Sequence, residues 1–212
     1  EYKFAHTLQK MMMREKQNIV FSAGSGELDS RFTYRLEKEL RKYYDTGRIV
    51  LDSVVQIDTS VHLLIVAAPK RQISLPNQFK IDQYIMRGGK VIWALEKLTA
   101  SLDSIAKYNF YVPQDIITGV DDMLFKYGAR VQPNLIIDLE CSAIPQIVGM
   151  TGDKPQTMMF PWYYHPVLQS HDNHVIVKNI DRVNMFFPSS IDTVETATPI
   201  KKTVLLASSA YS

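Results

Sequence analysis

The chain has 212 residues, of which 46% are hydrophobic and 22% are charged. These fractions, with only 9 glycines and 10 prolines, exclude collagen-like, coiled-coil and low-complexity chains. A net charge of +2 gives no electrostatic argument for nucleic acid as a partner. The single cysteine, Cys141, cannot form an internal disulfide or a thiolate zinc site, so we expect no disulfide or metal framework. No cofactor is expected either.

The first 17 residues predict an amphipathic helix, because Phe4, Leu8, Met11 and Met12 recur at spacings of three and four. The chain begins at Glu1 rather than at methionine. We therefore expect residues 1–17 to be a helix that leads in from a preceding domain outside this chain. Residues 18–212 are expected to form a single α/β domain.

Within that domain one pattern recurs three times: a helix with an apolar stripe, a glycine, and then a β-rich run. Glycine suits the position after a helix because the left-handed backbone needed there costs it little. The stripe of the first helix consists of Leu28, Phe32, Leu36, Leu40 and Tyr43. The three helices are predicted to end at Gly47, Gly88 and Gly128.

The first and third predicted strands, Ile19–Phe21 and Leu63–Val66, are apolar without alternation, as in strands that helices cover on both faces. Together with the alternating helices they predict a doubly wound, mostly parallel α/β sheet.

The C-terminal part of the chain has a different character. Prolines at positions 145, 155 and 161, with Gly149 and Gly152, predict an irregular connection over about residues 141–166. A β-rich extension follows, with runs at Val175–Val177, Val183–Phe187 and Thr203–Leu206.

The turn Gly24, Ser25, Gly26 and Glu27 leads from the first strand into a helix and is the main candidate for ligand binding. Free amides at a helix N-terminus can hold a phosphate. As a dinucleotide fingerprint the turn lacks its third glycine, although Asp52 could bind a ribose. A small-ligand or nucleotide site and a simple tight turn therefore both remain open.

Two residues could act as nucleophiles. Ser25 lies between a strand and a helix, but the G-x-S-x-G spacing is absent because Ala23 and Glu27 flank it. Cys141 could be a thiol nucleophile of the amidotransferase kind, but no glycine relieves the sharp elbow that such a nucleophile needs. We expect no catalytic residues, with a hydrolase or amidotransferase-like enzyme as the alternative.

Three histidines raise the question of a metal site. His165, His171 and His174 fall within ten residues, with Asp172 among them. No further ligand spacing accompanies them, so ordinary loop histidines are favoured and no metal is expected.

The segment Trp162, Tyr163, Tyr164 and His165 stands between two prolines in the densest aromatic cluster of the chain. Such a cluster can anchor a partner protein or a sugar. It can equally cover the open edge of a sheet. We therefore take it as the candidate partner surface, with the covering role as the alternative.

Five separated blocks of this sequence resemble the GldG-like family, the gliding-motility-associated ABC transporter auxiliary proteins of Bacteroidetes-type bacteria. The blocks, in order, are Ile81–Val91, Asp121–Gly128, His174–Asn179, Ser189–Thr193 and Lys201–Leu206. The turn at Gly24–Glu27 also resembles the family, although Ser25 stands where a histidine is frequent. The resemblance covers nearly the whole chain.

This resemblance implies a non-catalytic domain on the extracytoplasmic (periplasmic) face of the bacterial inner membrane. The parent protein would be anchored by segments outside this chain and would act with an ABC-type ATPase and a membrane permease. Cargo or an envelope protein is a further implied partner. The fold implied is similar to a domain of a ciliary intraflagellar transport protein and to flavodoxin-like and class I amidotransferase-like cores.

Overall fold

The computed structural model describes residues 16–103, 110–171 and 173–212, together with Phe4. By contacts between residues the chain divides into two compact units. The single domain expected over 18–212 stays a prediction. Unit 1 comprises Glu1–Glu96 and Ile116–Met123, and unit 2 comprises Lys97–Asp115 and Leu124–Ser212. The helix predicted over residues 1–17 falls almost wholly outside the described residues and stays a prediction.

Unit 1 is built on a parallel four-stranded sheet, which confirms the predicted α/β class. Its strands are β1 (Asn18–Ala23), β2 (Asp45–Val50), β3 (Val61–Ala67) and β4 (Lys90–Ala94), in the order β2-β1-β3-β4. Helix α1 (Ser30–Leu40) connects β1 to β2, and α2 (Leu75–Met86) connects β3 to β4. These two connections run in opposite directions along the sheet, so right-handed crossovers place the helices on opposite faces.

The residues of α1 that face the sheet differ from the predicted stripe. Thr33 and Glu37 are buried, whereas Phe32 is 75% exposed. Leu40 packs against the core formed by Ile19, Phe21, Ile65 and Ala67. The prediction for α1 is therefore wrong except at Leu40, because its inner face is set by a polar contact with β2 that apolar periodicity cannot detect. The prediction that the helix ends at Gly47 is also wrong. The helix ends at Leu40, and Gly47 lies within β2.

The end of α2 agrees with the prediction. Gly88 follows the helix with a φ of +91°, the left-handed backbone that favours glycine. A Cβ at the next residue, Gly89, would overlap the ring of Tyr84. That ring is buried, and its hydroxyl donates to the Val61 carbonyl oxygen at 3.0 Å. Two glycines are therefore needed here for two different reasons.

Unit 2 consists mainly of antiparallel strands. Helix α3 (Asp121–Lys126), of which the last three residues belong to unit 2, precedes β5 (Ala129–Val131), and β5 pairs with β9 (Ile191–Thr193). The long strands β6 (Cys141–Thr151) and β7 (Lys154–Ser170) form a hairpin, and the short strands β8 (Val183–Asn184) and β10 (Leu206–Ala207) pair with the base of β7. The predicted β-rich extension is thus present, although Val175–Val177 forms a turn rather than a strand.

The prediction of an irregular connection over about residues 141–166 is wrong, because this segment forms β6 and most of β7. Prolines are tolerated in a strand where the missing N–H would point away from the neighbouring strand. In a two-stranded ribbon each strand has such an outer edge, so prolines at 145, 155 and 161 do not interrupt the pairing. Gly152, with a φ of +61°, lies in the tight turn between the strands.

Candidate functional site

The Gly24–Glu27 turn lies at the carboxyl end of β1, next to the point where the strand order reverses. This is the position at which open α/β sheets commonly bind ligands. Gly24 and Gly26 both have positive φ, at +117° and +76°. The structure therefore brings the predicted ligand-binding residues together at the expected end of the sheet.

The carboxylate of Glu27 accepts hydrogen bonds from two donor groups in and next to this turn. Its Oε2 accepts the Ser25 N–H at 2.7 Å, and its Oε1 accepts the Ser22 hydroxyl at 2.9 Å. Both serines are buried. The Glu27 side chain therefore already occupies a backbone donor that a bound anion would need.

The turn is also joined to the segment after β3. The Ser25 carbonyl oxygen accepts the N–H groups of Lys70 and Arg71 at 3.1 and 2.9 Å. The Arg71 guanidinium donates to the Gly24 carbonyl oxygen at 3.0 Å. These bonds connect the ends of two neighbouring strands. The polar groups of the turn that take part in them are therefore already paired within the protein.

The N-terminus of α1 is capped by a second carboxylate. Asp29 accepts the Arg31 N–H at 3.0 Å and the Ser30 hydroxyl at 3.1 Å. The hydrogen bond from the Arg31 backbone, followed by the bond from the Ser30 side chain, lowers the pKa of Asp29. Asp29 also forms an ion pair with the Arg31 guanidinium at 3.1 Å. The protein's own carboxylate therefore already occupies the backbone donor that a phosphate would need at this helix end.

Asp52, the candidate ribose-binding acid, makes a structural contact. Its Oδ1 accepts a hydrogen bond from Asn77 of α2 at 2.7 Å. Lys80 donates to the Asn77 side-chain oxygen at 3.0 Å and to the Leu51 carbonyl oxygen at 2.8 Å. This network connects α2 to the turn that follows β2, and it occupies one oxygen of Asp52.

The possible nucleophiles lie in different units. Ser25 is in unit 1 and only 7% exposed, whereas Cys141 is the first residue of β6 in unit 2 and half-buried. Within residues 16–103, 110–171 and 173–212, no group of three His, Cys, Asp or Glu side chains lies close enough to hold a metal ion. Asp172, which stands between His171 and His174, falls outside the described residues.

The aromatic segment lies on β7, and its four residues differ in exposure. His165 is 1% exposed, and its ring meets the rings of Phe186 and Phe187 edge-on at centroid distances of 4.7 and 4.9 Å. Burial lowers the pKa of His165, so the imidazole is neutral near pH 7. Tyr163, in contrast, is 47% exposed. The segment therefore contributes to the interior of unit 2 through His165, and Tyr163 is the member available to a partner.

Each unit contains one buried acid that was not among the predicted site residues. Asp138 in unit 2 is fully buried and accepts hydrogen bonds from the Ser209 hydroxyl, the Ser209 N–H and the Glu140 N–H. Burial alone would raise the pKa of Asp138, but these hydrogen bonds outweigh it and lower the pKa. Glu37 in unit 1 is buried beside Arg48. The sequence signal for Asp138 was an acid directly after an apolar run, and the signal for Glu37 was its i,i+4 spacing to Arg41, with which it forms an ion pair at 3.1 Å.

Comparison with known proteins gives the family. The model of the ABC-type uncharacterized transport system auxiliary family matches residues 16–212. The chain belongs to this family. No curated protein sequence matches the chain. In the part of the chain that the structure describes, no helix has both the length and the apolar character needed to cross a membrane.

A solved structure, the mmIFT52 N-terminal domain, is similar in fold to this member of the family. The two align with a TM-score of 0.56 and 16% sequence identity, over 89% of this chain and 72% of that chain. At this identity the likeness concerns the fold alone. It agrees with the expected similarity to an intraflagellar transport domain.

Proposed function

We propose that this auxiliary domain is of the GldG-like type and acts without catalysis on the extracytoplasmic face of the bacterial inner membrane. The observation that carries the proposal is the family match over residues 16–212. The five sequence blocks that resemble GldG-like proteins support the narrower assignment, including a role in gliding motility.

The geometry of unit 1 supports a non-catalytic role. Glu27, which an acid-base mechanism would use, accepts hydrogen bonds from Ser22 and Ser25 instead. Ser25 is buried, and its carbonyl oxygen accepts hydrogen bonds from the segment after β3. The groups best placed to react therefore maintain the turn.

The proposed partners follow from the chemistry of transport. The sequence has no G-x-x-x-x-G-K-[ST] loop, so the ATP-hydrolysing part of the proposed system would lie outside this chain. A permease would supply the route across the membrane, and the parent protein would be anchored by segments outside this chain. Tyr163, as the exposed member of the aromatic segment, is the proposed contact for cargo or an envelope protein.

The proposal is tested by purifying the parent protein from native membranes in mild detergent and quantifying the proteins that accompany it. Recovery of an ABC-type ATPase and a multi-span permease in comparable amounts supports the assignment. A parent protein that is recovered alone, with its anchors intact, contradicts it. Tyr163→Ser should leave the ATPase and permease bound, because the variant changes only the proposed cargo contact.

Two further measurements address location and chemistry. Alkaline phosphatase fused after Ser212 in the parent protein becomes active only outside the cytoplasm, so an inactive fusion would contradict the proposed location. A screen for ester and amide hydrolysis should show no activity above background. Activity that disappears in Ser25→Ala or Cys141→Ser, while the melting temperature is unchanged, would instead support the enzyme alternative.

A further inference from the structure

A small cavity lies at the amino end of the parallel sheet of unit 1, at the opposite end from the Gly24–Glu27 turn. The described residues that line it belong to the segment before β3, the start of β3, the end of α2 and the start of β4. Its volume is about 150 Å³, below the roughly 300–1,000 Å³ of sites for drug-sized ligands. This amino-end cavity therefore has room for a small chemical group but not for a whole nucleotide.

The charged residues that line the amino-end cavity are basic. Arg87 follows α2 and Lys90 begins β4, while His62 of β3 adds an imidazole. Among the described residues of the lining there is no Asp or Glu. Asp58, the acid of the adjoining loop, lies outside the lining and accepts the Ser60 N–H at 2.7 Å. Two positive charges without a carboxylate beside them favour a bound anion.

These basic side chains are not used to cap α2. Lysine and arginine near a helix C-terminus often bond the last carbonyl oxygens, but here those oxygens accept the backbone N–H groups of residues 87–89 at 2.9 to 3.1 Å. The Arg87 guanidinium donates one N–H to the Gln56 side-chain oxygen at 2.9 Å, which leaves its other N–H groups for a ligand. Lys90 is exposed, and within the described part of the chain its ammonium group has no hydrogen-bond or ion-pair partner.

The wall of the cavity between the two basic residues is bare backbone. Gly88 has a φ of +91°, and a Cβ there would meet no atom within 4 Å. Gly89 lies against the ring of Tyr84, where a Cβ would overlap the ring. Neither residue places a side chain between Arg87 and Lys90.

We propose that the amino-end cavity binds a phosphate monoester group through Arg87 and Lys90. A phosphate monoester carries about −1.5 to −2 charges at neutral pH, which matches two positive charges better than the single charge of a carboxylate does. Arginine binds phosphate oxygens through parallel N–H groups, and lysine adds a compact positive charge. The group would belong to a free metabolite or to a lipid headgroup. The inference goes beyond the proposed transport role and does not depend on it.

The test follows the backbone amide signals of the ¹⁵N-labelled chain by NMR while glycerol 3-phosphate is added at constant ionic strength. We expect the signals of Gly88 and Gly89 to shift with a dissociation constant of about 1 mM. The signals of Gly24 and Gly26, at the other end of the sheet, should stay unchanged. Acetate should bind at least tenfold more weakly. Shifts confined to Gly24 and Gly26, or equal binding of acetate, would overturn the inference.

Three glutamine variants locate the contact. Arg87→Gln and Lys90→Gln should each weaken binding at least about fivefold, because each removes one of the two positive charges. Lys38→Gln on α1 removes the same charge from an exposed side chain outside the cavity, and should change the affinity less than about twofold. If Arg87→Gln lowers the melting temperature through its lost bond to Gln56, Lys90→Gln alone is compared with Lys38→Gln. Unchanged binding in Lys90→Gln, or equal weakening by Lys38→Gln, would overturn the inference.

Vesicles separate the two sources of the phosphate group. Phosphatidylcholine vesicles with added phosphatidic acid present a phosphate monoester, whereas the same vesicles with phosphatidylglycerol present a diester. Cosedimentation with the first kind only, lost in Lys90→Gln and displaced by glycerol 3-phosphate, would support the site and identify a lipid headgroup. Absence of cosedimentation, with glycerol 3-phosphate still bound in solution, would support the site and identify a free phosphate ester.

Discussion

Glu37 of α1 and Arg48 of β2 form an ion pair, and removing this pair tests how much it stabilises the packing of α1. The Glu37 carboxylate accepts hydrogen bonds from Arg48 and from the Thr33 hydroxyl, each at 2.7 Å, and one from Arg41 at 3.1 Å. Arg48 also donates to the Leu28 carbonyl oxygen at 2.9 Å, and its guanidinium lies 5.3 Å from the centre of the Phe21 ring. The pair therefore connects α1, the segment before it and two strands.

The expected cost of Glu37→Ala is about 2–3 kcal/mol of unfolding free energy. Breaking a fully buried pair costs about 3–5 kcal/mol. The side chain of Glu37 is 9% exposed but that of Arg48 is 28% exposed, so water can partly solvate the arginine that remains. Arg48 also keeps its bond to the Leu28 carbonyl oxygen. Both facts place the estimate below the range for a fully buried pair.

The pH dependence follows from the direction of the Glu37 pKa. Burial would raise this pKa, but hydrogen bonds from Thr33 and Arg48, with the charge of Arg48, lower it below the ordinary value of 4.5. A lowered folded-state pKa contributes stability above the pKa of the unfolded chain, and that contribution disappears as pH falls through the folded-state pKa. The difference between the parent chain and Glu37→Gln should be constant near neutral pH and shrink below about pH 4.5.

The assay is urea unfolding followed by tryptophan fluorescence. The chain has two tryptophans, and Trp93 lies on β4 of unit 1. In a Trp162→Phe background the signal therefore reports on unit 1. The control is Glu39→Ala, which removes the exposed partner of Lys42 on the same helix and should cost less than about 0.5 kcal/mol.

The coupling between the two side chains is measured with Arg48→Met and the double variant. If the pair acts as described, the double variant costs less than the two single variants together, by at least about 1 kcal/mol. A Glu37→Ala cost equal to that of Glu39→Ala, or strictly additive costs, would refute the reasoning.

Of three further predictions, the two for unit 1 use the same unfolding assay, and the one for Asp138 in unit 2 uses urea unfolding with Trp162 in place and Trp93→Phe. Gly89→Ala should cost about 2–3 kcal/mol because its Cβ meets the buried ring of Tyr84, whereas Gly47→Ala, with open space around it, should cost less than about 0.5 kcal/mol; equal costs would contradict the close approach. Asp138→Asn should cost about 2 kcal/mol at neutral pH because it disrupts a buried hydrogen-bonded carboxylate. Since the pKa of Asp138 is lowered, that cost should shrink as pH falls below its ordinary value of 3.8, and a cost independent of pH would contradict the assignment. Glu27→Gln should cost about 1–2 kcal/mol by weakening the bonds to two buried serines, and tighter binding of inorganic phosphate by the variant would show that the carboxylate excludes anions from the turn.

Local patterns predicted the parts of the fold that depend on near neighbours in sequence. The end of α2 at Gly88 and the strand after it were predicted correctly because a left-handed residue and a β-rich run are local signals. The parallel sheet of unit 1 was predicted from strands whose residues are apolar without alternation, and the structure contains it. The position of the Gly24–Glu27 turn was predicted for the same reason, since a turn between a strand and a helix of a parallel sheet lies at the carboxyl end of the strand.

The errors occurred where a distant residue decides the outcome. Apolar periodicity placed Phe32 on the inner face of α1. That face instead carries Glu37, which pairs with Arg48 of the distant strand β2, and Phe32 is exposed. The prolines of residues 141–166 predicted a loop, because their compatibility with a strand depends on which edge their missing N–H faces.

The amino-acid sequence by itself determined the family, the α/β class and the candidate residues, because these rest on residue identity and spacing. The tertiary structure decided how those residues are used. It showed that the Glu27 carboxylate bonds within its own turn, and that His165 is buried while Tyr163 is exposed. Hydrogen-bond partners and burial depend on segments far apart in the chain, and no local pattern contains that information.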